Sequence, residues 1–343
     1  MVGPPQAVHM PAAARLLLLT SGKRISQLVY VVAELGLADH LAAGPLGVAE
    51  LAEATGTHAP SLARVLRAAT TIELLEQLGD GRYTLTALST VLRADTPDSV
   101  RDLVLLNSDE IVWRPYGEIL HTVRNGTPAF EHVFGTGFFA YLHEHPGAET
   151  LFGRAMVAMS RAAAGTLAGT LGTDRFGVIA DIGGGRGHFL GELLRRSPNA
   201  QGLLFDLPAV VAQADAVLTA LDVAGRVKTV GGDFFAEIPT GADAYVLKAV
   251  LHNWDDEPAE RILRGVATAM RHNPHARLFI VENIVGTANR WDHAALLDLD
   301  MMLRFGGRER DAAQWGQLLD AAGLVALNQA TPGTLAVLEC AAR

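Results

Sequence analysis

The chain has one cysteine in 343 residues, Cys340, so no disulfide can form within it and nothing in its thiol content points to secretion. Charged side chains are also sparse, 19% of the total, and 28 Lys and Arg against 37 Asp and Glu leave a formal charge of -9. That sign opposes nucleic acid and anionic membranes and weakly favours a cationic ligand. No stretch reads as long and apolar enough to cross a bilayer, and Met1-Val2-Gly3-Pro4-Pro5 lacks the charged-then-apolar order of a signal peptide, so a cytoplasmic location is expected. The twelve histidines form no recognised His/Cys ligand spacing, so no metal is expected either.

What is present is apolar: 49% of the residues are hydrophobic, which suggests extra surface buried in an oligomer. The length favours two domains over one core. The most informative segment is Val178 to Phe189, VIADIGGGRGHF, a short strand emptying into a glycine loop and then a helix. Gly183, Gly185 and Gly187 let a ligand approach the backbone, but His188 stands where a dinucleotide fingerprint wants its last glycine, which weakens an NAD or FAD reading. Taken alone, the loop could equally be a tight turn.

Downstream strands supply more. Leu203-Leu204-Phe205 ends in Asp206, placed like the carboxylate that anchors ribose hydroxyls. Val227 to Val230 runs into Gly231-Gly232-Asp233-Phe234-Phe235, which pairs a carboxylate with a ring as an adenine site does, although a loop Asp and a core Phe would look the same. Asp181, Asp206 and Asp233 all fall at strand carboxyl ends, where doubly wound sheets bind ligands. Tyr245 to Leu247 lead to Lys248 and then to His252 in Leu251-His252-Asn253-Trp254-Asp255-Asp256-Glu257. A fifth strand delivers Glu282, and Glu309 follows in Gly306-Gly307-Arg308-Glu309-Arg310. One imidazole and two carboxylates at one edge can make a general base, able to take the proton of a phenol whose pKa is about 10. Each has a plainer reading as well: His252 as a capping residue, Glu282 as a solvated strand end, Glu309 in an exposed ion pair, Lys248 snorkelling from the edge.

The first hundred residues are organised differently. Leu16 to Leu19 read as the buried face of a first helix and, with Ile25, Leu28, Val29 and Val32, form an apolar stripe suited to a partner subunit. Val48 to Ala54 and His58 to Thr70 read as two helices, followed by a hairpin turning at Asp80-Gly81. This is a winged helix-turn-helix pattern, which raises a ligand-responsive transcription factor as a competing class. The second helix offers only Arg64 and Arg67 as cations, too few for a phosphate-binding face. From about Val100 to Gly172 the chain reads as a helical connector rich in aromatic residues and methionine. After Val178 strands and helices alternate as α/β folds require, ending in a hairpin that turns at Thr331-Pro332-Gly333-Thr334.

The ordered set DIGGGRGHF, FDLP, GDFF, LKAVLHNWDDE, VEN and GGRER resembles the S-adenosylmethionine (SAM)-dependent O-methyltransferases of the plant caffeic acid and bacterial natural-product type, from about Leu16 to Cys340. The resemblance implies a Rossmann-like seven-stranded SAM-binding sheet with a reversed terminal strand. It divides the chain into a winged-helix dimerisation domain over 1–99, a connector lining the acceptor pocket over 100–172, and the catalytic domain over 173–343. It makes His252 the base, held by Glu282 and Glu309, and gives Gly183, Gly185, Asp206, Asp233, Phe234 and Lys248 to SAM, with Trp254 closing over the adenine. Phe152, Met156 and Met302 would line the acceptor pocket, and the expected assembly is a homodimer acting on a small hydroxylated aromatic, of polyketide or related origin. Many relatives carry Asp after the base, where this chain has Asn253, which removes a negative charge beside the imidazole. A minority of the family hydroxylates or decarboxylates instead.

Overall fold

The computed structural model describes residues 11–343, so the signal-peptide reading of Met1 to Pro5 lies outside the described residues. The chain divides into two compact units, the first running up to Trp113 and including Arg154–Ala158, the second comprising Arg114–Gly153 and Met159–Arg343.

In the first unit, helices α1 (Ala12–Thr20) and α2 (Gly22–Glu34) follow one another across Ser21. Leu16, Leu17, Leu18 and Leu19 are 49–68% exposed, so the expectation that they form a buried face is wrong within a single chain. A second correction follows from their continuity. Residues 12–34 together reach the length and the mean hydropathy, 1.2, of a candidate membrane span, which the short Leu16–Leu19 run taken alone conceals. Lys23 and Arg24 lie in the middle of that stretch, where each cation would cost about 2.5–3.5 kcal/mol at the centre of a bilayer.

Helices α3 (Val48–Thr55) and α4 (Ala59–Thr70) and the antiparallel ribbon Leu75–Gln77/Tyr83–Leu85 build the winged arrangement. Gly56 adopts the left-handed conformation that ends α3, and Pro60 sits in the first turn of α4, where its missing N–H costs nothing. Val32, Leu37, Leu51, Leu62, Leu66 and Leu74 close the core of this unit.

The second unit is a seven-stranded sheet: β1 (Val178–Ile182), β2 (Gln201–Asp206), β3 (Val227–Gly231), β4 (Ala244–Lys248), β5 (Arg277–Glu282), β6 (Leu324–Ala330) and β7 (Ala336–Ala342). Their order is β6-β7-β5-β4-β1-β2-β3, with β7 antiparallel to both neighbours and the other contacts parallel. The chain winds outward from β1 to β3 and returns to β4 on the other side of β1, creating a switch point where their carboxyl ends part.

Successive residues of β1, Ile179 and Ala180, face different cores, as the two-residue period of a strand requires. On one face Ala180, Tyr245 and Ile280 meet α7 (Asp256–Met270), whose Ala259, Ile262, Leu263, Val266 and Met270 make one apolar stripe. On the other, Ile179, Leu204 and Val246 meet the last turns of α5 (Pro146–Leu171) and α6 (His188–Arg196). Cys340 is sealed in the first of these cores, and burial pushes its thiol up to about 12.

Candidate active site

The glycine loop leaves β1 at the switch point. Any side chain on Gly184 would collide with Asp181 and Leu204, whereas one on Gly185 would meet nothing within 4 Å. The loop is therefore packed underneath and open above. Asp206, at the end of β2, accepts hydrogen bonds from the Gly185 amide (2.8 Å) and the Leu207 amide (2.7 Å), so it fixes the tip of the loop. Burial raises the Asp206 pKa against the pull of these two amides. Asp181 lies below the loop with one buried oxygen unpartnered, and burial lifts its pKa to about 7 despite nearby Lys248. Lys248 is pushed down by burial, opposed by Asp181 and Glu282, and its ammonium lies 5.5 Å from the centre of the Phe189 ring.

Phe234 and Trp254 meet edge to face at 6.1 Å, and Phe234 also approaches Gly183. Exposed Asp233 caps the turn ahead of Phe235 through that residue's amide, at 2.8 Å. Open space over Gly185, a carboxylate at the tip of the loop and a pair of rings beside it suit a nucleoside with a charged tail.

Beyond β4 the chain makes a tight reversal. Ala249 takes a left-handed φ of 54°, a strained conformation for a residue with a Cβ, and the amides of the next three residues point together. Glu282 Oε1 accepts from the amides of Val250 (3.0 Å), Leu251 (2.9 Å) and His252 (3.4 Å). Glu282 thus holds the turn that carries His252. Its second oxygen is 3.6 Å from His252 Nδ1, while Glu309 Oε1 receives a direct hydrogen bond from Nδ1 at 2.8 Å and another from Asn283 at 3.2 Å.

All three groups are buried. Burial alone would lower the pKa of His252, but Glu282 and Glu309 outweigh it and raise the value above its ordinary range. An ionised carboxylate can only accept, so Nδ1 bears the proton and Nε2 keeps its lone pair in the neutral ring. The ligand atoms of these three residues lie within 4.8 Å of one another, a grouping that could hold a cation and that no sequence spacing reveals. The hydrogen-bonded proton between Nδ1 and Oε1 already accounts for the contact.

Several contacts at the site are not apparent from sequence. Glu309 is buried, and its side chain turns from Arg308 and Arg310 toward His252 and Asn283. Arg310, fully buried, donates to Asp256 (2.9 Å), to the carbonyls of Leu251 (3.2 Å) and Trp254 (2.9 Å), and more weakly to that of Arg308 (3.4 Å). It braces the His252 turn from below. Gly307 lies against the backbone of the same turn. Of the expected acceptor-lining residues, Phe152 meets Phe138 at 5.3 Å and Met302 is half-buried on α8 (His293–Arg304), while Met156 belongs to the first unit.

This seven-stranded sheet order with its reversed strand is that of the class I SAM-dependent methyltransferases. A family model described as the O-methyltransferase domain matches residues 116–325 and one described as the O-methyltransferase dimerisation domain matches 17–95, and the chain belongs to that O-methyltransferase family. It is 37% identical to the phenazine O-methyltransferase PhzM of Lysobacter antibioticus over 95% of each chain. It is 36% identical to the 8-amino-8-demethylriboflavin N,N-dimethyltransferase of Streptomyces davaonensis, over 98% of this chain and 97% of that one. Among solved structures, NcsB1 of neocarzinostatin biosynthesis, in complex with SAM and 2-hydroxy-5-methyl naphthoic acid, superposes with a TM-score of 0.79 at 33% identity, covering 93% of this chain and 96% of that one. These relatives methylate oxygen in some cases and nitrogen in others.

Proposed function

We propose that the protein methylates a phenolic hydroxyl of an aromatic natural product, with His252 as the general base. The observation that carries this reading is the buried bond from His252 Nδ1 to Glu309, which leaves Nε2 as the proton acceptor. SAM, when bound, supplies a methyl group on a sulfonium whose charge already activates it for displacement. His252 takes the hydroxyl proton, and Glu309 and Glu282 stabilise the resulting imidazolium. The apolar walls contributed by Phe152 and Met302 exclude water and position the oxygen. An aromatic amine attacks through its own lone pair and has less need of a base, so the dyad favours oxygen over nitrogen. Incubation with labelled SAM and a panel of hydroxylated and amino-substituted aromatics tests this. A product carrying one new methyl on oxygen is expected; one on nitrogen overturns the choice of atom, and a gain of oxygen places the protein with the family's non-methylating minority.

In this reading Gly183 and Gly185 admit the backbone-close part of SAM, Asp206 binds the ribose, Asp233, Phe234 and Trp254 surround the adenine, and Lys248 borders the site. Asp206→Ala is expected to weaken SAM binding by about 1.5–3 kcal/mol, the worth of a hydrogen bond to a charged group, and to loosen the Gly185 loop it holds. Unchanged SAM affinity in calorimetry would remove Asp206 from the site.

We also assign residues 1–99 to a dimerisation domain, 100–172 to a connector and 173–343 to the catalytic domain. The exposed leucines of α1, on a segment where the dimerisation family model begins, support a homodimer. Against a DNA-binding wing, the guanidinium of Arg82 is paired with Asp80 at 2.8 Å. Light scattering should find a dimer, and Leu17→Glu with Leu19→Glu should leave a folded monomer. A stable wild-type monomer would sink the assignment, and specific, salt-sensitive duplex binding without methyl transfer would restore the transcription-factor alternative.

A further inference from the structure

The second unit contains two deeply buried arginines near the His252 turn, and they differ in one respect. Arg310 spends its donors on a carboxylate and three carbonyls. Arg304, the last residue of α8, is also nine-tenths buried, yet among the described residues its Nε has no hydrogen-bond partner, and the carboxylate paired with it, Asp300, lies 3.4 Å from Nη2. That separation exceeds a good charge-assisted hydrogen bond. Asp300 is further engaged by the Tyr116 hydroxyl, and burial together with Asp300 pushes the pKa of that phenol up. A buried guanidinium with unspent donors is costly unless something arrives to use them.

The surroundings describe what would arrive. The Arg304 guanidinium lies 5.9 Å from the centre of the Phe138 ring and 5.1 Å from that of Phe305. Those rings meet each other at 4.8 Å, and Phe305 meets Phe139, which stacks toward Trp254 at 6.5 Å. Aromatic surface thus runs from the cation to the turn bearing the base. The charge of Arg304 is also close enough to His252 to oppose protonation of that imidazole. We infer that Arg304 is a specificity-determining residue that binds a carboxylate carried on the aromatic ring of the acceptor, so that the acceptor is a hydroxylated aromatic acid. The planar guanidinium edge accepts a carboxylate in the plane of a ring held against Phe138 and Phe305. This inference rests on the acceptor reading proposed above.

The test compares hydroxynaphthoates with the matching hydroxynaphthamides, which keep the shape and remove the charge, by calorimetry on the full chain with S-adenosylhomocysteine present. The wild type should bind at least one acid about tenfold or more tighter than its amide, and Arg304→Gln should weaken the acid about 10- to 100-fold with the amide unchanged. Arg304→Lys, keeping charge without the planar fork, should fall between. Equal binding of acid and amide by the wild type overturns the inference even if Arg304→Gln fails to fold, as do equal losses on both ligands in that variant. Amide binding with no preference for the acid leaves the phenolic reading intact and discards only the carboxylate; binding of neither overturns both.

Discussion

His252→Ala is expected to lower turnover at neutral pH by about 10²–10⁴, the usual worth of a positioned general base, while SAM affinity stays nearly intact. The polar partners of the imidazole are Glu309 and Glu282, neither of them assigned to the ribose or the glycine loop. Removal of the imidazole leaves two buried carboxylates close together with no cation between them, so the variant should also be less stable than the wild type. The rate deficit should shrink as pH nears the acceptor's own pKa, about 10 for a simple phenol, because the hydroxyl then ionises without help. A variant that turns over like the wild type at neutral pH on its true acceptor would show that positioning alone drives transfer.

The wild-type profile has a fixed sign. Only the neutral imidazole accepts a proton, so kcat/KM should rise with pH through the elevated pKa of His252, inflecting above the ordinary histidine value of 6.5. Glu309→Gln removes one of the two charges that hold it up and should move that inflection to lower pH. Stability runs the other way. A histidine whose folded pKa is raised contributes stability fully present below its unfolded pKa and lost as pH rises through the folded one. Glu282, whose pKa burial raises, adds to the same decline, since ionising it inside the fold becomes a cost above the unfolded carboxylate range.

The residues readable in advance are those whose meaning is local. A strand, a glycine loop and a helix announce themselves between Val178 and Phe189 by spacing alone, and the carboxylates at strand ends follow once the alternation of elements is counted. Long-range contacts are not written locally. Arg310 reads as a flank of a charged Arg-Glu-Arg run, yet it is buried because Asp256 and two carbonyls of the His252 turn, more than fifty residues earlier, take its protons. Glu282 reads as a partner of the imidazole, but most of its bonding goes to three backbone amides released by the strained Ala249. Leu16 to Leu19 mislead for a different reason: apolar periodicity reports that a face is to be covered and not whether the same chain covers it.

Gly307→Ala is expected to reduce turnover by about 10² or more through a displacement of His252, although Gly307 is not among the residues assigned to SAM or to the acceptor. The reason is space. A Cβ at Gly307 would overlap the His252 carbonyl oxygen and the Asn253 carbonyl carbon and sit 2.6 Å from the Trp254 nitrogen, all backbone atoms that cannot rotate away. The two loops must separate, which stretches the hydrogen bond from the Arg308 amide to the His252 carbonyl, now 2.9 Å, and draws the imidazole off Glu309. Overpacking of this kind costs about 1–3 kcal/mol of stability. Gly316→Ala serves as the contrast: Gly316 lies inside α9 (Ala312–Ala321), where an added methyl meets nothing within 4 Å, so that variant should be as active as wild type and more stable by about 0.5–1 kcal/mol. Turnover and thermal melting of both variants decide the matter. Full activity in Gly307→Ala would mean that the Gly306–Arg310 loop can move without carrying the base, and that Glu282 alone holds His252 in place.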